Sequence, residues 1–150
     1  MGRRVAPGAT SGTRVAGTLQ ADTVRVGTGG LTRITEVIST KTGATGTVTH
    51  DFTESQIWWH SSIAANFTAN LTNVPTTDNR TISITFLLLQ GATGYYPSAL
   101  QIDGSGQTIR WLGNTVPTPT SGAGKLDVAT FNLLRTGSTW YVTGILQAFA

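Results

Sequence analysis

Apolar and polar positions alternate with period two along much of the chain after residue 45, most clearly at its end. In residues 126–134, Leu126, Val128, Thr130, Asn132 and Leu134 fall on one face, and Asp127, Ala129, Phe131 and Leu133 on the other. In residues 140–146, Trp140, Val142, Gly144 and Leu146 share a face, with Tyr141, Thr143 and Ile145 opposite. The connector between the runs, Arg135-Thr136-Gly137-Ser138-Thr139, is polar with a central glycine. Period-two alternation across a short glycine-containing connector predicts a β-hairpin. An isolated hairpin is marginal in water, so this one belongs to a larger sheet.

The same pattern predicts eight strands, at residues 46–52, 56–60, 66–71, 81–89, 99–102, 108–112, 126–134 and 140–146. Asp103-Gly104-Ser105-Gly106 reads as a turn that makes 99–102 and 108–112 a second hairpin, and residues 116–124 as a long exposed loop. Residues 81–89 are the expected central strand. Ile82, Ile84, Phe86 and Leu88 share one face, and the last residues are apolar on both, as in a strand covered on two sides. Strands at this spacing predict an all-β domain, a β-sandwich or jelly-roll-like fold, over residues 45–150. The echo of Thr42-Gly43-Ala44-Thr45-Gly46 in Gln90-Gly91-Ala92-Thr93-Gly94 fits two loops of similar composition, and no internal repeat is evident.

Residues 1–44 read differently. Their alternations are short and polar, Gly27-Thr28-Gly29-Gly30 interrupts them, and residues 1–12 are punctuated by Gly, Pro and Ser. Leu31, Ile34 and Val37 stand at helical spacing, but the threonines around them favour an extended form. The expectation is an extended N-terminal arm that pairs with other chains or a larger assembly; a flexible leader is the alternative. No apolar core of a signal peptide follows the first basic residues.

Composition sharpens this picture. Charged residues make up only 11% of the chain, against roughly a quarter in typical globular proteins, and 28 threonines take much of their place. Net charge is +3 and unevenly placed. The arm carries Arg3, Arg4, Arg14, Arg25 and Arg33, which become the expected assembly residues, whereas the body is nearly neutral. These arginines stand singly, without a dense cluster or interleaved aromatics, so the arm is read as docking on protein surfaces and not on nucleic acid. No apolar run reaches membrane-spanning length, and no membrane partner is expected. With no cysteine, disulfides and thiolate metal sites are excluded.

Catalytic chemistry has little support. His50, His60, Asp51 and Glu54 are the one grouping that suggests a metal or acid–base site, but their spacing matches no zinc pattern, and solvent-facing or interface histidines are the default. No GxSxG elbow occurs, and Ser105 lies in a turn. Gly122-Ala123-Gly124-Lys125 lacks the first glycine and the final Ser or Thr of a phosphate loop. Asn66, Asn70 and Asn79 begin glycan-acceptor tripeptides that are frequent by chance in such a chain. The expectation is a non-enzymatic protein with no cofactor and no metal. Of Trp58 and Trp59, one should enter the core and one face outward. Trp59, Tyr95 and Tyr96 are the candidates for surface recognition of a glycan, with structural packing as the competing role.

Five segments in order carry a resemblance: Gln101-Ile102-Asp103-Gly104, Arg110-Trp111-Leu112-Gly113, Pro117-Thr118-Pro119, Asp127-Val128-Ala129-Thr130-Phe131, and Arg135-Thr136-Gly137-Ser138-Thr139-Trp140-Tyr141-Val142. Over residues 45–150 the chain resembles a small β domain of tailed-bacteriophage virion structural proteins, notably tail-fibre-like and particle-surface proteins of marine phages. Gly17-Thr18-Leu19-Gln20-Ala21-Asp22-Thr23-Val24 looks like the leaders that precede such domains. The resemblance implies a virion location, other virion proteins as partners and a homo-oligomer, a trimer by analogy. It carries over no catalytic residue. The leading expectation is a tail-fibre or tail-associated component; a capsid decoration protein and a glycan-binding host-recognition module are the alternatives.

Overall fold

The computed structural model describes residues 35–149, and the arm arginines Arg3, Arg4, Arg14, Arg25 and Arg33 lie outside them. The described chain forms ten strands: β1 (Ile38–Thr42), β2 (Gly46–Asp51), β3 (Ile57–Ser61), β4 (Phe67–Thr72), β5 (Arg80–Leu89), β6 (Pro97–Ile102), β7 (Ser105–Gln107), β8 (Ile109–Trp111), β9 (Leu126–Thr136) and β10 (Thr139–Phe149). They make two sheets, one of six strands ordered β1-β3-β5-β9-β10-β8 and one of four ordered β2-β4-β6-β7. Inward side chains of both sheets meet in one apolar core, giving the all-β, sandwich-like architecture that the alternation predicts.

The path between the sheets is a finding that the pattern alone did not supply. Strands β1 to β6 alternate between the sheets, so successive visits to one sheet pair in parallel: β1 with β3, β3 with β5, β2 with β4, and β4 with β6. The result is a short solenoid of three rungs. In the six-stranded sheet the first rung advances from Ile38 to Ile57 and the second from Ile57 to Thr85. The corners stack as well, since the N–H groups of Ala64 and Ala65 both donate to the Ala44 carbonyl, at 2.9 and 3.3 Å. The two echoed segments, residues 42–46 and 90–94, occupy the same corner of the first and third rungs. Parallel ladders of this kind separate the fold from a jelly roll, which is built from antiparallel Greek keys.

After the third rung the chain turns antiparallel. β9 and β10 pair along their whole length through a two-residue turn at Gly137 and Ser138, which have φ of 53° and 61°. Positive φ at both central residues matches the twist of the flanking strands. β5 lies between β3 and β9, so it is central as expected.

Three expectations are corrected. First, β1 falls inside the segment assigned to the arm, and the compact unit begins at Thr35 instead of residue 45. Second, the Asp103–Gly104 turn joins β6 to the short β7 and not to β8. Third, β8 crosses to the other sheet, where it pairs in parallel with β10. Gly144 makes that last docking possible: a Cβ there would stand 2.8 Å from a Trp111 ring carbon and 2.9 Å from Ile109 Cγ2.

Candidate functional site

Every strand presents one face to the core and one to the outside, so the inward and outward chemistry can be taken separately. Inward, the largest buried side chains are Trp58, Phe67, Phe86 and Phe131, with Leu71, Ile84, Leu88, Leu100 and Leu133 around them. His50 on β2 and His60 on β3 sit among these aromatics with no exposed surface, which corrects the solvent-facing default. Their Nε2 atoms are 3.0 Å apart. His50 packs edge-on to Phe86 and Trp58, and His60 stacks on Phe67. β2 and β3 belong to opposite sheets, so the pair bridges the sandwich.

A single hydrogen bond between two Nε2 atoms needs one donor and one acceptor, so at least one ring is neutral. Burial pushes the His50 pKa down to about 3, helped by His60 and Lys41, and burial and Lys41 push that of His60 down to about 4. Both rings are therefore neutral near pH 7. Neither Nδ1 atom has a partner. Among the described residues, no group of three or more His, Cys, Asp or Glu side chains converges as a metal site would require.

The other acidic and polar candidates serve the architecture. Asp51 accepts the Thr53 N–H and hydroxyl and the Asn73 amide, and these bonds lower its pKa, with Asn73 the largest contributor. Asp127 is fully buried, and its Oδ2 accepts from Gln90 Nε2 at 3.0 Å and from the Thr120 N–H at 2.7 Å. Gln90 in turn brackets Tyr95, accepting its N–H and donating to its carbonyl, each at 2.9 Å. The Asn66, Asn70 and Asn79 side-chain oxygens accept from Tyr96 N–H, Gly104 N–H and the Thr136 hydroxyl. The Gly122–Lys125 segment closes a turn on itself and on Gln90 and Gly91.

The three recognition candidates are not brought together as a surface. Tyr96 is buried, with its ring 5.8 Å from that of Trp111. Tyr95 is half-buried against the core. Trp59 does face outward, as expected of one tryptophan of its pair, while Trp58 is fully buried.

Outward, the two sheets differ in kind. The outer face of the four-stranded sheet carries Thr47, Thr49, Asp51, Thr68, Asn70, Thr72 and Gln101. The outer face of the six-stranded sheet is apolar at one end, where β5 and β10 finish and β9 begins, and Thr85 and Thr130 stand at its middle. Trp59, Leu87 and Val128 lie side by side in adjacent strands, next to a row of Leu89, Leu126 and Phe149. Ile38 and Ile57 extend it toward β1. Toward the other end of the strands the face turns polar, with Ser83, Asn132 and Thr143, and the Arg110 guanidinium lies 5.3 Å from the Tyr141 ring centroid. There, Arg110, Leu112, Thr130, Asn132, Thr143 and Ile145 help to line a cleft of about 420 Å³. Two apolar outward positions, Leu87 and Leu89, were legible as the two-sided apolarity of the strand's end.

Among the described residues no helix is long and apolar enough to cross a membrane. Comparison with protein-family models, with curated proteins and with solved structures found no match to the chain.

Proposed function

We propose that the chain is a non-enzymatic structural component of a tailed-phage particle, a tail-fibre or tail-associated protein. In this reading the residues before Thr35 attach it to neighbouring virion proteins and the β body is displayed. One observation carries the reading: the segments that give the resemblance build junctions in the fold. Gln101–Gly104 runs into the β6–β7 turn, with Asp103 and Gly104 at φ of 47° and 79°. Asp127 ties the loop that contains Pro117 and Pro119 to Gln90. Arg135 and Ser138 N–H both bind Asp78, which fastens the β9–β10 hairpin to the loop before β5. Motif residues that shape a scaffold fit a module whose work is to hold a form on a particle.

Deleting residues 1–34 tests the division of labour, because it leaves all ten strands in place. The expected outcome is a folded body that no longer enters particles when the truncated gene replaces the full one. Normal incorporation of the truncated chain would place the attachment surface in the β body and overturn this assignment.

A further inference from the structure

We infer that the outer face of the six-stranded sheet is a self-association surface, and that its partner is a second copy of this chain. The inference deepens the particle-component reading, on which it rests only for the expectation of an oligomer.

The two outer faces differ in kind. Both sheets come from one chain rich in threonine, yet only the six-stranded sheet carries a contiguous apolar patch, at the end of the face beyond Thr85 and Thr130. On the four-stranded sheet the outward residues are Thr, Asn, Asp and Gln with one alanine, Ala99. On the six-stranded sheet Trp59, Leu87 and Val128 adjoin Leu89, Leu126 and Phe149 without a break. Phe149 is 50% exposed, as is Ile38 at the β1 side. A contiguous apolar patch bordered by polar residues marks an interaction surface.

No Asp, Glu, Lys or Arg stands at an outward position of β1, β3, β5, β9 or β10; Lys41, Arg80, Asp127 and Arg135 all lie on the inward side of their strands. Arg110 on β8 is at the rim. Apart from that one arginine the face has no charge with which to select an oppositely charged partner. It is compatible with itself under rotation, since apolar meets apolar and the Thr and Ser border meets its like.

The face is also large enough. Five strands about 4.8 Å apart, two of five residues and three of ten or eleven, at about 3.4 Å per residue, give a face on the order of 700 Å², of which the apolar patch is one end. Two such faces reach the size of a standard stable interface, roughly 800 Å² per partner. The end of β5 is also apolar on both sides, and its outward Leu87 and Leu89 are covered by no strand among the described residues. Sheet-on-sheet packing by a second copy would cover them as the core covers Leu88.

The test is the mass of the full-length chain in solution, by light scattering and sedimentation, for wild type, Leu87→Lys, Val128→Lys and Thr68→Lys. The wild type and Thr68→Lys are expected at a multiple of 15.8 kDa, and the two outward variants of the six-stranded sheet at 15.8 kDa. Far-UV circular dichroism checks that each variant is folded, and Leu87→Thr with Val128→Thr, which places strand-favouring β-branched residues at both positions, replaces any variant that is not. A monomeric wild type overturns the inference, as does an oligomer that survives both substitutions. A wild-type monomer that aggregates once residues 1–34 are removed overturns it too, and gives the face to the chain's own N-terminal segment. A monomer would leave the particle reading standing, and a virion without the protein would leave a measured oligomer standing.

Discussion

His50 and His60 are the least expected residues of the fold, two neutral rings hydrogen-bonded to each other inside an aromatic core. Trp58, Phe67 and Phe86 surround the pair, and Lys41 is the charged side chain that acts on both rings. The folded-state pKa values, about 3 and about 4, lie below the ordinary 6.5. The unfolded chain therefore binds more protons as pH falls below 6.5. The stabilisation is fully present above about pH 6.5 and is lost as pH falls toward 4 and then 3, on the order of 3 kcal/mol for each ring. Denaturant titrations at pH 7 and pH 4 should show this loss in the wild type, and a His50→Leu/His60→Leu variant should lose several kcal/mol less over the same interval. An equal loss in both proteins would place the acid sensitivity elsewhere. The two histidines were legible as members of one grouping, but a histidine at an inward strand position reads as polar, and burial by aromatics from both sheets is visible only once the sheets are paired.

At the scale of elements, Asp127 and Gln90 form a buried clasp that holds two loops, residues 91–96 and 116–124, to the start of β9. Asp127→Ala would leave the Gln90 amide and the Thr120 N–H without their acceptor in a buried setting. Two lost hydrogen bonds with both donors left unpaired predict a destabilisation of about 2–3 kcal/mol, measurable as a shift of the denaturation midpoint at unchanged slope. A loss below about 0.5 kcal/mol would mean that the loops are held by other contacts.

The β9–β10 hairpin was legible because alternation and turn chemistry agree locally at Gly137-Ser138. Strand β1, with the sequence ISTKT, was not, because its inward residues are Ser39 and Lys41 and it has a single large apolar side chain. The solenoid was hidden for a related reason. Its rungs advance by unequal lengths, Ile38 to Ile57 and then Ile57 to Thr85, so no fixed period survives in the sequence. Only the corner echo at Gly43-Ala44 and Gly91-Ala92 remained, and two short loops do not announce a repeat.

At the scale of the whole molecule, the body is a sandwich with one polar outer face and one apolar outer face. Its core is continuous from the His50–His60 pair to Trp111, through Phe86 and Phe131. Arg110 and Tyr141 stand beside a cleft on the six-stranded sheet. The particle reading gives this asymmetry a use, because a component present in many copies gains from a face that binds its own kind and another that stays in solvent. The measurement that bears most directly on that reading is the number of copies per purified virion, by quantitative mass spectrometry against the major capsid protein. The account predicts a fixed copy number of a few to a few dozen, as a tail or fibre component would have, whereas hundreds of copies would move the protein to the capsid surface. Absence of the chain from purified virions would contradict the account.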